Sequence, residues 1–224
     1  MTPKLVFTAF FIAFFSLCQA QETTHLFGDV TVQLKKKALT ANYNLTNIKV
    51  NSAKMSFMLH EDFDIEQVYL NGDPIASSKN GRFCESCKVH TIWIDRALTP
   101  QDTVKIVLAG NLENFSGEGV NFRDQLFQAG TASKWYPVIL PEAAKRSDAP
   151  FSSNAYAYTY DLQIKCGDCK TIGIAATTAD DNHFQSEIPS SDIRLNLSTQ
   201  KLDQQVSAQD SQTADSRIST SKTK

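Results

Sequence analysis

From His25 to Leu34 polar and apolar positions alternate, with Leu26, Val30, Val32 and Leu34 on one side. After Lys35-Lys36-Lys37 a second run passes through Leu39, Ala41, Tyr43 and Leu45 to Ile48 and Val50. A period of two predicts strands with one buried face, and the short polar break predicts a turn between them. Residues 55–59 then lead into the acidic turn His60-Glu61-Asp62-Phe63-Asp64, a strand at 65–70 and the turn Asn71-Gly72-Asp73-Pro74. Asn-Gly followed by Asp-Pro is a strong turn signal, because these residues tolerate or pre-set the dihedrals a tight reversal needs. Further strands are expected at 89–94, 103–109, 134–139, 156–165, 171–176 and 192–197. No window holds an amphipathic helix longer than about three turns, although residues 141–145 could make a short one. About ten short strands rich in Val, Ile, Tyr and Phe predict an all-β fold, an antiparallel β-sandwich.

Both ends fall outside this pattern. Residues 1–20 place one cation, Lys4, ahead of an apolar run at 5–15 and close on Cys18-Gln19-Ala20 before Gln21. That is the form of a secretory signal peptide, and the run is shorter than the roughly 20 residues a bilayer span needs. Leu17 is not the small residue that a lipoprotein signal places before its cysteine. From 200 to 224 there is no aromatic residue, and such a stretch cannot bury enough apolar surface to offset its ordering entropy. The chain therefore divides into a signal peptide (1–20), a sandwich domain (21–199) and a disordered polar tail (200–224). The product is expected to be exported, periplasmic or secreted, with no membrane span after signal cleavage. A net charge of −2 gives no electrostatic footprint for nucleic acid or an anionic membrane, and Lys35-Lys36-Lys37 reads as a solvated turn.

The sharpest chemical signal is Cys84-Glu85-Ser86-Cys87 with Cys166-Gly167-Asp168-Cys169. Two C-x-x-C pairs between strands could clasp one tetrahedral zinc through Cys84, Cys87, Cys166 and Cys169. Export favours disulfides instead, since oxidants convert neighbouring thiols. Redox exchange is a third reading, although C-x-x-C in a thioredoxin opens a helix and both pairs here sit in turns. No cofactor beyond a possible structural zinc is expected. Residues on either side of Cys166 and Cys169 are expected to form a hairpin, and the four cysteines to gather as one cluster at one end of the sandwich.

Other constellations are weaker. The acidic turns around Asp62 and Asp180-Asp181 lack the spacing of a calcium loop and read as solvated turns. Ser116-Gly117-Glu118-Gly119 reads as a surface loop rather than a nucleophile elbow. Trp93, Trp135, Tyr136, Phe115, Phe122 and Phe127 could form an aromatic binding surface or belong to the core.

The order of several segments is similar to a known module. Met55-Ser56-Phe57-Met58-Leu59, Ile65 to Gly72, Ile92-Trp93-Ile94-Asp95-Arg96-Ala97-Leu98-Thr99 and Val104 to Gly110 follow one another, and later come Lys134-Trp135-Tyr136-Pro137 and Tyr158-Thr159-Tyr160-Asp161-Leu162-Gln163-Ile164. From about Leu26 to Leu197 the chain resembles the N-terminal β domain of the aminopeptidase N type of zinc metallopeptidase. In that family the chemistry belongs to a following domain with a His-Glu-x-x-His helix, a further Glu ligand and a Gly-x-Met-Glu-Asn strand, and this sequence has none of them. His25, His60, His90 and His183 never stand four apart. The resemblance also implies a substrate-binding Gln or Glu in the region of Gln125 and Gln128, but no motif here marks either one.

These readings imply an exported, non-catalytic β-sandwich that binds a protein or peptide partner in the cell envelope as an accessory module. A sheet edge or the aromatic loop around Trp135 would make the contact. One alternative is a fragment or non-catalytic half of a split zinc aminopeptidase. Another is a structural protein whose purpose is its four-cysteine zinc or disulfide site.

Overall fold

A computed structural model describes residues 23–84, 86–113, 115, 120–123, 126–140, 157–174, 178–180 and 182–200. The signal peptide, the tail beyond Gln200, the short helix expected at 141–145 and the loop at 116–119 lie outside these residues.

The chain opens with β1 (Thr24–Gln33), passes a 3-10 turn at Leu34–Lys36 and returns as β2 (Ala38–Thr46). β3 (Lys54–His60), β4 (Phe63–Leu70), β5 (Asp73–Ile75), β6 (Ser77–Cys84), β7 (Cys87–Trp93) and β8 (Val104–Asn111) follow. The second half holds β9 (Val120–Arg123), β10 (Leu126–Ala129), β11 (Val138–Ile139) and β12 (Tyr158–Cys166). It ends with β13 (Thr171–Ile174), β14 (Thr178–Asp180), β15 (His183–Ser190) and β16 (Leu195–Ser198).

Eight strands make one sheet in the order β14-β15-β12-β1-β2-β8-β4-β5. Two four-stranded sheets, β13-β16-β10-β9 and β11-β3-β7-β6, complete the fold. The period of two in the sequence becomes a buried and an exposed face: along β1, Leu26, Val30 and Val32 are buried while Phe27 and Asp29 are exposed. β3 differs, since every residue from Met55 to His60 is buried, and this is why its sequence does not alternate. The core lies between the inner face of the large sheet and the smaller sheets. There Tyr43 and Tyr158 of the large sheet meet Trp135 and Tyr136 edge to face, with ring centroids 6.4 and 5.8 Å apart. Burying side chains of this size contributes about 1.5–3 kcal/mol each in the transfer term.

The all-β reading holds, with three corrections. Sixteen strands are present among the described residues rather than about ten. The excess is partly short or polar strands, the edge strands β5, β6 and β14 and the neighbouring β15, which carry no regular apolar alternation. The pairing is antiparallel except for β1 with β12, which run parallel from Thr24 opposite Tyr158 to Val32 opposite Cys166. A parallel neighbour needs a long crossover, and here it spans everything from β2 to β11. The strand expected over 134–139 is confined to β11. Thr131–Ser133 forms a 3-10 turn ahead of it, and Lys134 is left-handed at φ 56°.

Asn71 (φ 52°) and Gly72 (φ 94°) are both left-handed at the β4–β5 reversal, the conformation a tight two-residue hairpin requires. Gly110 faces Phe63 across β8 and β4, where a Cβ would stand 2.0 Å from the Phe63 ring.

Candidate binding site

The cysteines are bonded within each motif, Cys84 to Cys87 and Cys166 to Cys169, with Cα separations of 5.0 and 5.3 Å. The register shows why the four do not form the single cluster expected. Cys166 lies opposite Val32, Val32 opposite Leu39, Leu39 opposite Gly110 and Gly110 opposite Phe63. Cys87 lies opposite His60, three residues before Phe63. Cys166 and Phe63 thus lie in one row of the large sheet four strand spacings apart, about 19 Å, and the Cys84–Cys87 motif belongs to the separate sheet β11-β3-β7-β6, reached from Phe63 through His60. The expected hairpin after β12 is also absent: β13 leaves the large sheet to pair with β16, so Cys166–Cys169 closes a corner between sheets.

Cys166, Asp168 and Cys169 bring three metal-type ligand atoms within 4.8 Å of one another. In this arrangement the two sulfurs are bonded to each other, and the Asp168 carboxylate accepts hydrogen bonds from the backbone N–H groups of Leu34 (3.3 Å) and Lys35 (2.8 Å). The corner therefore clasps the β1–β2 turn. A disulfide loop this short should stabilise the domain by about 2 kcal/mol on the chain-entropy account. Replacing Cys166 and Cys169 together by serine should lower the urea-derived stability by that amount. Thiol titration of a chain lacking residues 1–20 should find no free thiol before reduction, whereas four free thiols with one equivalent of zinc would restore the knuckle reading.

The remaining residues singled out in the sequence fall apart spatially. His60 is buried with its ring 4.0 Å from Phe115, and His90 stacks on Phe57. His25 Nδ1 lies 2.7 Å from the Thr159 hydroxyl, and His183 Nε2 lies 2.5 Å from the Asp161 carboxylate. These histidines form no common metal-binding group among the described residues. Glu61 accepts a 2.5 Å hydrogen bond from Arg82, which holds its carboxyl below the usual carboxylate range. Gln128 belongs to an amide ladder with Asn121 and Asn196, while Gln125 and Asp181 lie outside the described residues.

The aromatic set divides sharply. Trp135, Tyr136, Phe115 and Phe127 are buried, so the loop around Trp135 is core and not a contact surface. The side chain of Phe122 is not among those described. Trp93 is 51% exposed, and Phe83, which the sequence reading passed over, is 43% exposed. Both line a groove of about 520 Å³ across β3, β7 and β6. Lys54 stands opposite Trp93 in the ladder and lays its ammonium 4.0 Å from the indole centroid. Arg82 lines the same groove, and its floor carries Ser56 and Thr91, whose hydroxyls are 2.9 Å apart. The described lining has two cations and no carboxylate. It is suited to an apolar side chain accompanied by negative charge.

No known family pattern matches this sequence, and no curated protein matches it. Solved structures do. An M1 zinc metallopeptidase from Deinococcus radiodurans superposes with a TM-score of 0.53 at 14% identity, covering 80% of this chain and 42% of that one. Native leukotriene A4 hydrolase from Saccharomyces cerevisiae gives a TM-score of 0.54 at 12% identity, covering 77% of this chain and 28% of that one. The chain thus spans less than half the length of the structures it matches. The resemblance read from strand order and motifs holds at the level of fold: this β-sandwich is similar to part of the zinc metallopeptidase architecture.

Proposed function

We propose that the chain is a non-catalytic binding module that engages a protein or peptide partner through the groove of β3, β7 and β6. The observation that carries this reading is the pair of exposed aromatics, Trp93 and Phe83, set beside the cations Lys54 and Arg82 in one groove. Hot spots of protein interfaces are enriched in Trp and Arg. The partner places an apolar side chain against Trp93 and a carboxylate near Lys54. Export, as read from residues 1–20, puts that partner in the cell envelope, where the module acts as an accessory subunit.

Tagged protein recovered from its own cell envelope should carry one partner at near-stoichiometric amount. Trp93→Ala should weaken that partner by about 2 kcal/mol or more, roughly thirtyfold. Its melting temperature should barely move, because exposed substitutions usually fall within about 0.5 kcal/mol. Retention of the same partner by Trp93→Ala would remove the groove from the account.

The fold likeness favours one other reading, in which the chain is the non-catalytic half of a split zinc aminopeptidase. Purified chain should then be inert toward aminoacyl anilides, and the co-purified complex should hydrolyse them in a chelator-sensitive way. A complex without such activity leaves the accessory module alone.

A further inference from the structure

We propose a second binding site, for a carboxylate-bearing sugar ring, on the outer face of the eight-stranded sheet around Tyr69, Lys105 and Asn44. These three form one cross-strand row: Lys105 of β8 lies opposite Tyr69 of β4 on one side and Asn44 of β2 on the other. Side chains in such a row project from the same face about 5 Å apart. With Asn71, Gly72 and Thr103 they line a shallow cavity of about 640 Å³.

The lining supplies one ammonium, one aromatic ring, amides and a hydroxyl, and none of its six residues is acidic. The Lys105 ammonium rests 5.6 Å from the centre of the Tyr69 ring. A single cation selects a single negative charge. The ring of Tyr69 offers its face to the C–H side of a pyranose, and Asn44 and Thr103 match the paired donor and acceptor character of sugar hydroxyls.

The cavity wall is pre-organised. Asn71 donates from Nδ2 to Asp102 Oδ1 at 2.7 Å and accepts from the Thr103 backbone N–H at 2.8 Å. Asp102 is 4% exposed and takes both Arg96 guanidinium nitrogens, at 2.7 and 2.6 Å, with the Thr99 N–H and hydroxyl. Arg96 chiefly holds that carboxyl well below the usual range, so the anchor stays ionised. A wall fixed before binding reduces the ordering cost a ligand must overcome.

Two observations favour a saccharide over a peptide. β8 is paired on both sides and β4 is paired on both sides from Val68 to Leu70. Their backbone N–H and C=O groups are therefore committed, and an added strand has no ladder to join. The row also continues to Phe27, opposite Asn44 and 41% exposed. Three strand spacings, about 14 Å, separate it from Tyr69, so a second apolar platform stands along the path of an oligosaccharide.

The test is calorimetric titration of the full chain with trigalacturonate, its methyl ester and triglutamate. Trigalacturonate should bind at millimolar or lower concentration, more weakly as salt rises. Lys105→Gln and Tyr69→Leu should each weaken it about tenfold or more, with melting temperatures confirming that both variants fold. Absence of binding overturns the proposal, as does equal binding of the ester or of triglutamate, or affinity unchanged in both variants. Partner capture at the Trp93 groove is a separate measurement, so either site can fail alone.

Discussion

Trp135→Ala should cost the domain about 3–5 kcal/mol, the range for truncating a large buried aromatic. The indole is fully buried, and its Nε1 donates a 2.8 Å hydrogen bond to the carbonyl of Ile193, itself buried. The backbone carbonyl of Trp135 in turn accepts from the Tyr43 hydroxyl at 3.2 Å. Truncation therefore leaves a cavity between the large sheet and the segment before β11, and it strips a buried acceptor of its donor, two penalties that add in the same direction. Trp135→Phe keeps much of the volume but not the N–H donor, so it should fall between wild type and alanine. For a domain of roughly 150–250 residues, each kcal/mol shifts Tm by about 2–4 °C. Thermal denaturation should accordingly show a drop of about 6–20 °C. A near-neutral result would mean that the indole is not in the core, and would return Trp135 to the list of contact residues.

What the sequence disclosed follows from which forces leave local marks. Alternation around Leu26, Val30 and Val32 reports a sheet buried on one face, and Asn71-Gly72 reports a left-handed reversal; both are properties of a few adjacent residues. β6 and β15 left no such mark. Ser77–Cys84 is a polar edge strand containing Gly81, held by the next strand β7, and His183–Ser190 is a polar strand containing Pro189, held between β14 and β12. The parallel pairing of β1 with β12 is a contact across more than 130 residues, and no periodicity encodes it. The same limit explains the cysteines: the two C-x-x-C motifs are alike in sequence, but one follows β12 of the large sheet and the other joins β6 to β7 in a separate sheet. Phe83 and the Tyr69–Lys105 row were equally hidden, because exposure and cross-strand juxtaposition decide their significance, not residue type.

Gly110→Ala should be strongly destabilising, and the size of the effect should depend on Phe63. The two residues face each other across β8 and β4, and a Cβ at position 110 would lie 2.0 Å from Cδ1 and 2.4 Å from Cε1 of the Phe63 ring. The ring cannot swing clear, because it is fully buried and stacked on Phe115 at 5.3 Å between centroids. Overpacking of this kind costs about 1–3 kcal/mol and sometimes more. Phe63→Ala should cost about 3–5 kcal/mol by leaving a cavity. In the double variant the added methyl enters that cavity instead of a ring, so the two losses should not sum. The expected coupling is about 0.5–3 kcal/mol in the favourable direction, read from urea unfolding of wild type, the two single variants and the double. Strict additivity would show that the β8 backbone moves aside to accept the methyl. The close approach of β8 to the Phe63 ring would then be a convenience of the fold and not a requirement on residue 110.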